Sequence, residues 1–370
     1  MTDLRIGDEM FDGITPLLTT ERGPAASPPA PAIKWIDEDF LVKEAMVLDL
    51  RPRDGAEYRY LLLRKRGYTT MEAIRLVAGR LGLTTREVTY GGLKDEDGVT
   101  QQVVAVPVTA ADAVGEGAVR VAAEGGARWI DLQHYGYGAV PLRIGALEGN
   151  AFRIVVRNLD EATAGALAEA RKISHLFLNY YDTQRFGVPG QPKRTHLVGA
   201  AILEGRWSDA LGQLRALGTP ESGLAQQWRG SAADFFLSLD SRTVSFFLAS
   251  TASKAWNDDL AAVLRENAPD DTLPVRIEDI PFAYARSGAA VAKVLAATAQ
   301  LPYARYTFED GEITEHASVR ATVIQTQIAV SGLDTDDLFA GRHRVRLGLF
   351  LPSGVYATAA VRQLFALRSL

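Results

Sequence analysis

The chain changes in character near Gly187, and this change limits the folds that it can adopt. Before that point, short segments of alternating apolar residues predict strands. From about Gly190 to Gln300 the sequence is rich in alanine and mostly helical in pattern, and strand-like alternation returns at residues 319–330 and 345–351. A helical segment between two strand-rich segments predicts an α+β domain that is split by an insertion.

Local signals predict single elements within the first segment. Thr69 and Thr70 precede an apolar stripe with Glu72 in its first turn and Gly82 at its end, which indicates a capped helix. Strands are predicted at residues 57–64, 88–90, 103–108 and 152–156, and a second helix is predicted at residues 160–178.

Composition excludes several classes of protein. The chain has 370 residues, of which 47% are hydrophobic and 23% charged, and it contains no cysteine. These values are typical of a globular chain without disulfides or thiolate metal sites. Phosphate-loop, dinucleotide, zinc-protease and nucleophile-elbow motifs are absent, and no two histidines stand at ligand spacing.

Targeting signals are also lacking in the sequence. No apolar run is long enough to span a bilayer, and the first thirteen residues carry acidic groups where a signal peptide is basic. We therefore expect a cytoplasmic protein with no membrane contact and no metal. The stretch at residues 19–31, rich in proline, alanine, serine and threonine, predicts a flexible tail over residues 1–32.

Four segments combine polar and aromatic residues in patterns that suit a binding site. Each alone is consistent with ordinary structure: a charged hairpin, a turn before a strand, the end of a helix, and a turn between a strand and a helix. The four are Gly91-Gly92-Leu93-Lys94-Asp95-Glu96-Asp97-Gly98-Val99-Thr100-Gln101, Gly149-Asn150-Ala151-Phe152, Asn179-Tyr180-Tyr181-Asp182-Thr183-Gln184-Arg185-Phe186-Gly187 and Leu351-Pro352-Ser353-Gly354-Val355-Tyr356-Ala357-Thr358.

In this order the segments resemble the TruD family of pseudouridine synthases. Further matches come earlier in the chain, at Lys34, at the Glu-Asp-Phe-x-Val-x-Glu pattern of residues 38–44, and at Lys65 with its following threonines. The resemblance runs from Lys34 to the C-terminus. The Lys-Asp loop alone is weakly specific, whereas the ordered set of motifs is highly specific.

The resemblance implies a fold and a domain division. We expect a split catalytic domain with the mixed α/β fold of pseudouridine synthases, formed by residues 33–190 and 324–370. A family-specific and largely helical domain, residues 191–323, is expected to be inserted into it.

The resemblance also implies an activity, the isomerisation of uridine to pseudouridine in tRNA, with position thirteen the best-known target of the family. The reaction breaks the N1–C1′ bond, turns the uracil and joins its C5 to C1′, so no cofactor is expected. The family's catalytic aspartate corresponds to Asp95. Its carboxylate would either attack C1′ or remove the C2′ proton, and the sequence does not choose between these.

Other residues are expected to bind the substrate. Phe152 is the candidate for stacking on uracil, and Asn150 for orienting either the base or Asp95. Lys94 and a nearby arginine are expected to hold Asp95 in its ionised form. The remaining candidates for lining the site are Lys34, Phe40, Gln184 and Arg185.

The charge pattern leaves the substrate open. A net charge of −5 argues against indiscriminate coating of nucleic acid, yet it allows a local basic surface. Two cationic clusters are candidates for phosphate contacts: Arg51, Arg53, Arg59, Arg64, Lys65 and Arg66, and separately Arg342, His343, Arg344 and Arg346.

The chain departs from the family pattern at several places. Pro141 and Glu148 stand where basic residues are usual, and Asp182 and Gln363 replace the family's glycine and glutamate. Two alternatives to tRNA modification therefore remain. One is the same chemistry on a uridine nucleotide for a C-nucleoside biosynthetic pathway, and the other is an RNA-binding or RNA-folding module without catalysis.

Overall fold

The computed structural model describes residues 31–114, 117–188 and 190–368. By packing, the chain divides into two compact units. The first contains the described residues up to Ser174 together with Thr326–Gly354, and the second contains His175–Gln325 with the described residues from Val355 onward. Helices in the described part of the chain are too short or too polar to cross a membrane.

Strands and two helices build the first unit. Its helices are α1 (Thr70–Leu81) and α2 (Glu161–Ala170). Its strands are β1 (Ala32–Ile33), β2 (Phe40–Ala45), β3 (Tyr58–Arg66), β4 (Thr89–Tyr90), β5 (Val99–Pro107), β6 (Val119–Glu124), β7 (Arg128–Gly138), β8 (Gly149–Leu159), β14 (Val323–Thr335) and β15 (His343–Pro352). Strand β9 (Lys172–Leu178) has residues in both units, and the strands between β9 and β14 belong to the second unit.

The strands form one mixed sheet in the order β6-β7-β3-β5-β2-β8-β15-β14, and β9 (Lys172–Leu178) pairs with β14. β2 lies at its centre, parallel to β5 and antiparallel to β8. Val42 is opposite both Thr100 and Phe152, and Glu44 is opposite Asn150. Because residues opposite one another share a face of the sheet, these side chains lie on one side.

Helix α1 covers the same face farther along the sheet. Its apolar side, with Ile74 and Val77, packs against Leu61 and Leu63 of β3. The helix begins where the sequence predicts, since the Thr69 hydroxyl accepts from the amide of Glu72, and it ends at Gly82 with a φ of 69°. Both predicted ends are confirmed.

The second unit is built mainly from helices, with two antiparallel hairpins. The helices are α3 (Thr195–Leu203), α4 (Trp207–Arg215), α5 (Pro220–Gln227), α6 (Ala232–Ser238), α7 (Ser241–Asn267), α8 (Gly288–Ala297) and α9 (Ala357–Arg368). The hairpins are β10 (Thr272–Ile277) with β11 (Ile280–Ala285), and β12 (Gln300–Glu309) with β13 (Glu312–Ala321). The long helix α7 contributes to both apolar cores of this unit.

Two element predictions are wrong in part. The helix expected at residues 160–178 ends at Ala170, and β9 follows it. Ile173, His175 and Phe177 are buried at a spacing of two, which is a strand pattern that the preceding alanines obscure. The stretch expected to be helical from Gly190 to Gln300 also contains the β10–β11 hairpin.

The predicted division at residues 33–190, 191–323 and 324–370 remains a prediction, because the two units are defined by packing alone. Of the expected flexible tail, residues 1–30 lie outside the described residues, and Ala32 belongs to β1.

A buried arginine joins three parts of the first unit. Arg157 on β8 contacts the carboxylate of Asp39 at 2.8 Å, that of Asp336 at 2.9 Å and that of Asp337 at 2.6 Å. Arg157, Asp39 and Asp336 are all less than 5% exposed. Burial raises the pKa of Asp39, and Arg157 opposes this effect. The network fixes the turn that leads into β2.

We expect Arg157→Met to destabilise the protein by about 3–5 kcal/mol, because it leaves two carboxylates buried without their cation. Urea denaturation followed by circular dichroism measures the loss. Arg206→Met is the control, since Arg206 forms its ion pairs at the surface and should change the midpoint little. Equal midpoints for the two variants would contradict the role given to Arg157.

Candidate functional site

The candidate catalytic residue, Asp95, lies in the loop between β4 and β5. Its carboxylate accepts a hydrogen bond from Lys34 Nζ at 3.2 Å, and its side chain is 33% exposed. The loop returns to the sheet at Gly98, where an added Cβ would lie 2.6 Å from the carbonyl oxygen of Phe40. Only glycine fits this close approach, so the loop is held against the start of β2.

Lys34 adopts a backbone conformation that lysine seldom takes. It follows β1 with a φ of 55°, in the left-handed region. Such a conformation costs about 1–3 kcal/mol and persists where surrounding contacts enforce it. Here Lys34 Nζ lies 4.2 Å from the centroid of the Phe40 ring as well as contacting Asp95. The strained turn thus brings one ammonium group to both residues.

Phe40 and Phe152 form an aromatic pair beside this contact. Their ring centroids are 5.7 Å apart, and they are 2% and 7% exposed. The sequence predicted a stacking role for Phe152 and a lining role for Phe40. The structure places both on the sheet face that Lys34 overlies, and their role toward a ligand remains a prediction.

Lys94 is engaged elsewhere than expected. Its Nζ contacts Glu44 Oε1 at 2.8 Å, and the two side chains are 5% and 0% exposed. Burial raises the pKa of Glu44, and Lys94 opposes this effect. The sequence assigned Lys94 to hold Asp95, whereas in the structure Lys34 makes that contact. Lys94 instead anchors the loop to β2, and its expected role in binding substrate stays a prediction.

Asn150 leaves one acceptor unused. Its side-chain oxygen is buried and has no hydrogen-bond partner among the described residues. Asn150 pairs with Glu44 across the β2–β8 ladder and is two residues from Phe152 on the same face. A buried oxygen without a donor costs about 1–3 kcal/mol, so a ligand with an N–H group would be favoured there.

The buried ammonium of Lys65 holds the main chain of the loop that carries Asp95. Its Nζ donates to the carbonyl oxygens of Asp95 at 2.6 Å and Tyr68 at 2.7 Å, and lies 3.4 Å from that of Lys94. Lys65 is fully buried, and burial lowers its pKa to about 8 even though Asp95 and Glu96 oppose the shift. It therefore fixes the main chain of the catalytic candidate.

Thr70 and Gln102 complete the support. The Thr70 hydroxyl accepts from the Lys94 amide at 2.8 Å, and the Gln102 side chain donates to the Gly92 carbonyl at 3.2 Å. The sequence assigned Thr70 and Gln102 no role in this loop, and it indicated Lys65 as a family match and a candidate for phosphate contacts rather than as a support for the loop. The signal for Lys65 was available, since it alternates with Leu61 and Leu63 on the inward side of β3.

Gln184 and Arg185 belong to the second unit. Gln184 is exposed on a short 3-10 turn, and Arg185 is half-buried, donating to the Ser253 hydroxyl at 3.0 Å. Helix α7 holds this segment further, because the Asn257 side chain bonds to both the amide and the carbonyl of Tyr181 at 2.9 Å. Their predicted binding roles are not decided by these contacts.

Two residues that depart from the family pattern form hydrogen bonds inside the second unit. The Gln363 amide accepts from the Leu178 amide at 2.9 Å and donates to its carbonyl at 2.8 Å, and a glutamate could not donate the second bond. Asp182 accepts from Arg362 and, at 2.8 Å, from the Thr183 amide. Both residues therefore have structural partners within the unit.

Several residues of the predicted cationic clusters are buried or form ion pairs, and the phosphate contacts of the clusters remain a prediction. In the first, Arg59, Lys65 and Arg66 are at most 6% exposed, so half of the cluster is buried. In the second, Arg344 pairs with Asp337 and Arg346 with Asp334. Adjacency in sequence overstates these clusters, because strand neighbours point to opposite faces.

Comparison with known proteins gives one family. The family model for tRNA pseudouridine synthase D (TruD) matches residues 29–242. A tRNA pseudouridine synthase D of Geobacter sulfurreducens is 34% identical to this chain over 204 residues, which cover 54% of this chain and 45% of the relative. The protein of the same name from Geobacter metallireducens is 35% identical over 202 residues, which cover 54% of this chain and 46% of the relative. The chain thus spans about half the length of these curated relatives.

A solved structure is similar in fold. The crystal structure assigned to tRNA pseudouridine synthase D (TruD) of Methanosarcina mazei aligns with a TM-score of 0.55 and 17% identity, covering 90% of this chain and 93% of that one. At this identity the likeness concerns the fold alone. It confirms the predicted mixed α/β class.

A pH-dependent difference in stability should follow from Lys65. Its folded-state pKa, about 8, lies below the unfolded value of 10.5, so the unfolded chain binds more protons between them. Relative to Lys65→Met, the free energy of unfolding of the wild type should therefore rise by about 1 kcal/mol per pH unit between pH 8 and pH 10.5. Urea denaturation at several pH values measures this difference in the free energy of unfolding.

Lys172→Met, a change at an exposed lysine of β9, is the matched control. The difference in free energy of unfolding between this control and the wild type should stay constant over the same pH range. If the difference for Lys65→Met is constant as well, the buried ammonium does not titrate as described.

Proposed function

Since the chain belongs to the TruD family, tRNA pseudouridine synthase D, we propose that it isomerises uridine to pseudouridine in tRNA, with Asp95 as the catalytic residue. The observation that carries the proposal is the contact of Lys34 with Asp95, beside the Phe40–Phe152 pair. The curated relatives are named for tRNA, which supports RNA over a uridine nucleotide as substrate. Within residues 31–114, 117–188 and 190–368, no contact favours the nucleotide or the non-catalytic alternative.

The proposed reaction begins at Asp95. Its carboxylate either attacks C1′ of the uridine or removes the proton from C2′, and in both routes the bond from C1′ to N1 of the base breaks. Lys34 holds the carboxylate in place and stabilises its charge. Lys65 keeps the main chain of Asp95 fixed, so little reorganisation is needed during the reaction.

The detached uracil must stay in the site and turn before its C5 bonds to C1′. In the first route the new bond displaces the Asp95 carboxylate from C1′, and in the second route Asp95 returns its proton to C2′. C5 then loses its proton and N1 gains one. We assign the aromatic face to Phe152 and the orienting contact to Asn150. The buried oxygen of Asn150 suits the N3–H of uracil, which is a donor. The target nucleotide must first leave its stack in the RNA, at a cost of a few kcal/mol.

The first test is Asp95→Asn. The amide is a poor nucleophile and a poor base, so no pseudouridine should form, while the similar shape should keep RNA affinity within about threefold. Nucleoside analysis of digested, unmodified tRNA measures product, and filter binding measures affinity. Uridine monophosphate is assayed in parallel. Turnover by the variant would exclude Asp95 as the catalytic residue. If the wild type converts uridine monophosphate but gives no product with tRNA, tRNA is excluded as the substrate.

The second test is Asn150→Ala. Removing a buried oxygen that lacks a donor should leave the free energy of unfolding unchanged or raise it by up to about 1 kcal/mol. Losing the contact to uracil should lower kcat/KM about tenfold. Denaturation and kinetics are measured on the same preparations, with Gln133→Ala, an exposed amide of the same unit, as control. Full activity, or a large loss of stability, would contradict the role of Asn150.

A further inference from the structure

Two arginines of the second unit share one aromatic ring. The guanidinium carbon of Arg320 lies 4.0 Å from the centroid of the Tyr181 ring, and that of Arg185 lies 5.6 Å from the same centroid. Arg320 also lies 5.2 Å from the Trp256 ring. Both guanidinium groups therefore lie next to the ring of Tyr181.

Neutral oxygen atoms are among the described partners of both guanidinium groups. Arg185 donates to the Ser253 hydroxyl at 3.0 Å, and Arg320 donates to the Asn179 side-chain oxygen at 2.8 Å. The carboxylate of the same segment, Asp182, is engaged by Arg362. Burial lowers the pKa of Arg320, and the charge of Arg185 adds to this effect. An incoming anion would offset both costs.

A tyrosine hydroxyl lies within the same cluster. The Tyr303 ring stacks on Tyr181 with centroids 5.6 Å apart. Burial raises the pKa of Tyr303, but hydrogen bonds with Tyr181 and Ser253 and the nearby Arg185 outweigh burial and bring it below its usual value. Tyr303 therefore places a hydroxyl group within hydrogen-bonding reach of Arg185 and Ser253.

An exposed aromatic ring adjoins the cluster. Phe246 on α7 is 41% exposed, and the Arg185 guanidinium carbon lies 5.4 Å from its ring centroid. An arginine next to an accessible aromatic face is the combination by which proteins hold the phosphate and the base of an unpaired nucleotide. An inorganic anion would need only the arginines.

We propose that Arg185 and Arg320 bind one phosphodiester group of an RNA strand, and that the adjoining base stacks on Phe246. The identity of the strand as substrate RNA rests on the proposed function. Guanidinium groups suit this ligand because their planar donors match the phosphate oxygens two at a time. The site belongs to the second unit alone and requires nothing from Asp95.

The first experiment uses inorganic phosphate as the probe. The melting temperature of the full chain is measured in phosphate and in chloride at equal ionic strength. Phosphate should raise the melting temperature of the wild type and of Arg276→Gln, an exposed control in the same unit, and should leave Arg185→Gln and Arg320→Gln unaffected. No difference between the two salts for the wild type would overturn the anion site.

The second experiment measures tRNA binding as salt is varied, in an Asp95→Asn background so that no turnover occurs. Each lost phosphate contact should reduce the slope of log affinity against log salt by about 0.7–0.9. Arg185→Gln should show this reduction, and Arg185→Lys should restore much of the slope. Phe246→Ala should weaken binding roughly tenfold with the slope unchanged.

These readouts separate the site from the proposed activity. If the wild type makes no pseudouridine but phosphate still raises the melting temperature through the two arginines, the anion site stands and the activity falls. If pseudouridine forms while the salt slope is the same in wild type and both arginine variants, the activity stands and the site is wrong. Circular dichroism confirms that each variant is folded.

Discussion

The register of β2 between β5 and β8 is the constraint on which the candidate site depends. Glu44 faces Asn150, and Val42 faces both Phe152 and Thr100, because the ladder aligns them. A slip of one residue would turn Glu44 and its neighbours to the opposite face of the sheet. The anchor of Lys94, the aromatic pair and the buried amide would then be lost together, so the Arg157 network that fixes the entry to β2 also protects the site.

The first unit manages its buried charges in different ways. Arg157 is met by carboxylates, Lys94 by Glu44, and Lys65 by main-chain carbonyls. In the ion pairs of Arg157 and Lys94, the opposite charge offsets the cost of burial. The Lys65 ammonium is instead held by carbonyl oxygens, and its lowered pKa shows that burying its charge is unfavourable. The strained Lys34 and the unused oxygen of Asn150 add further costs in the same place. Such concentration of unfavourable features is typical of a site that is completed by a ligand.

Much of the fold could be predicted, because local signals agreed with the tertiary structure. The caps of α1 and the alternation of β3 are examples. The prediction was wrong at β9. This strand has only seven residues and follows the alanine-rich helix α2 almost directly, so its alternation does not stand out from the helical pattern. At the site, the ordered motifs pointed to Asp95 and its neighbours. The sequence assigned Lys94 as the partner of Asp95. The contact with Lys34 could not be predicted, because it depends on a left-handed turn after β1.

Net charge also proved a poor guide to where RNA could bind. The acidic balance of −5 and the cationic clusters are properties of the sequence, yet several of those cations serve the interior or face carboxylates. Arg185 and Arg320 belong to neither cluster, and their described contacts are hydroxyl, amide and aromatic groups. In the proposed site, a few cations placed in this way would hold a strand at one position, which a dispersed positive surface does not do. The acidic balance of the whole chain is therefore compatible with a specific RNA ligand, since recognition depends on the local partners of a few arginines.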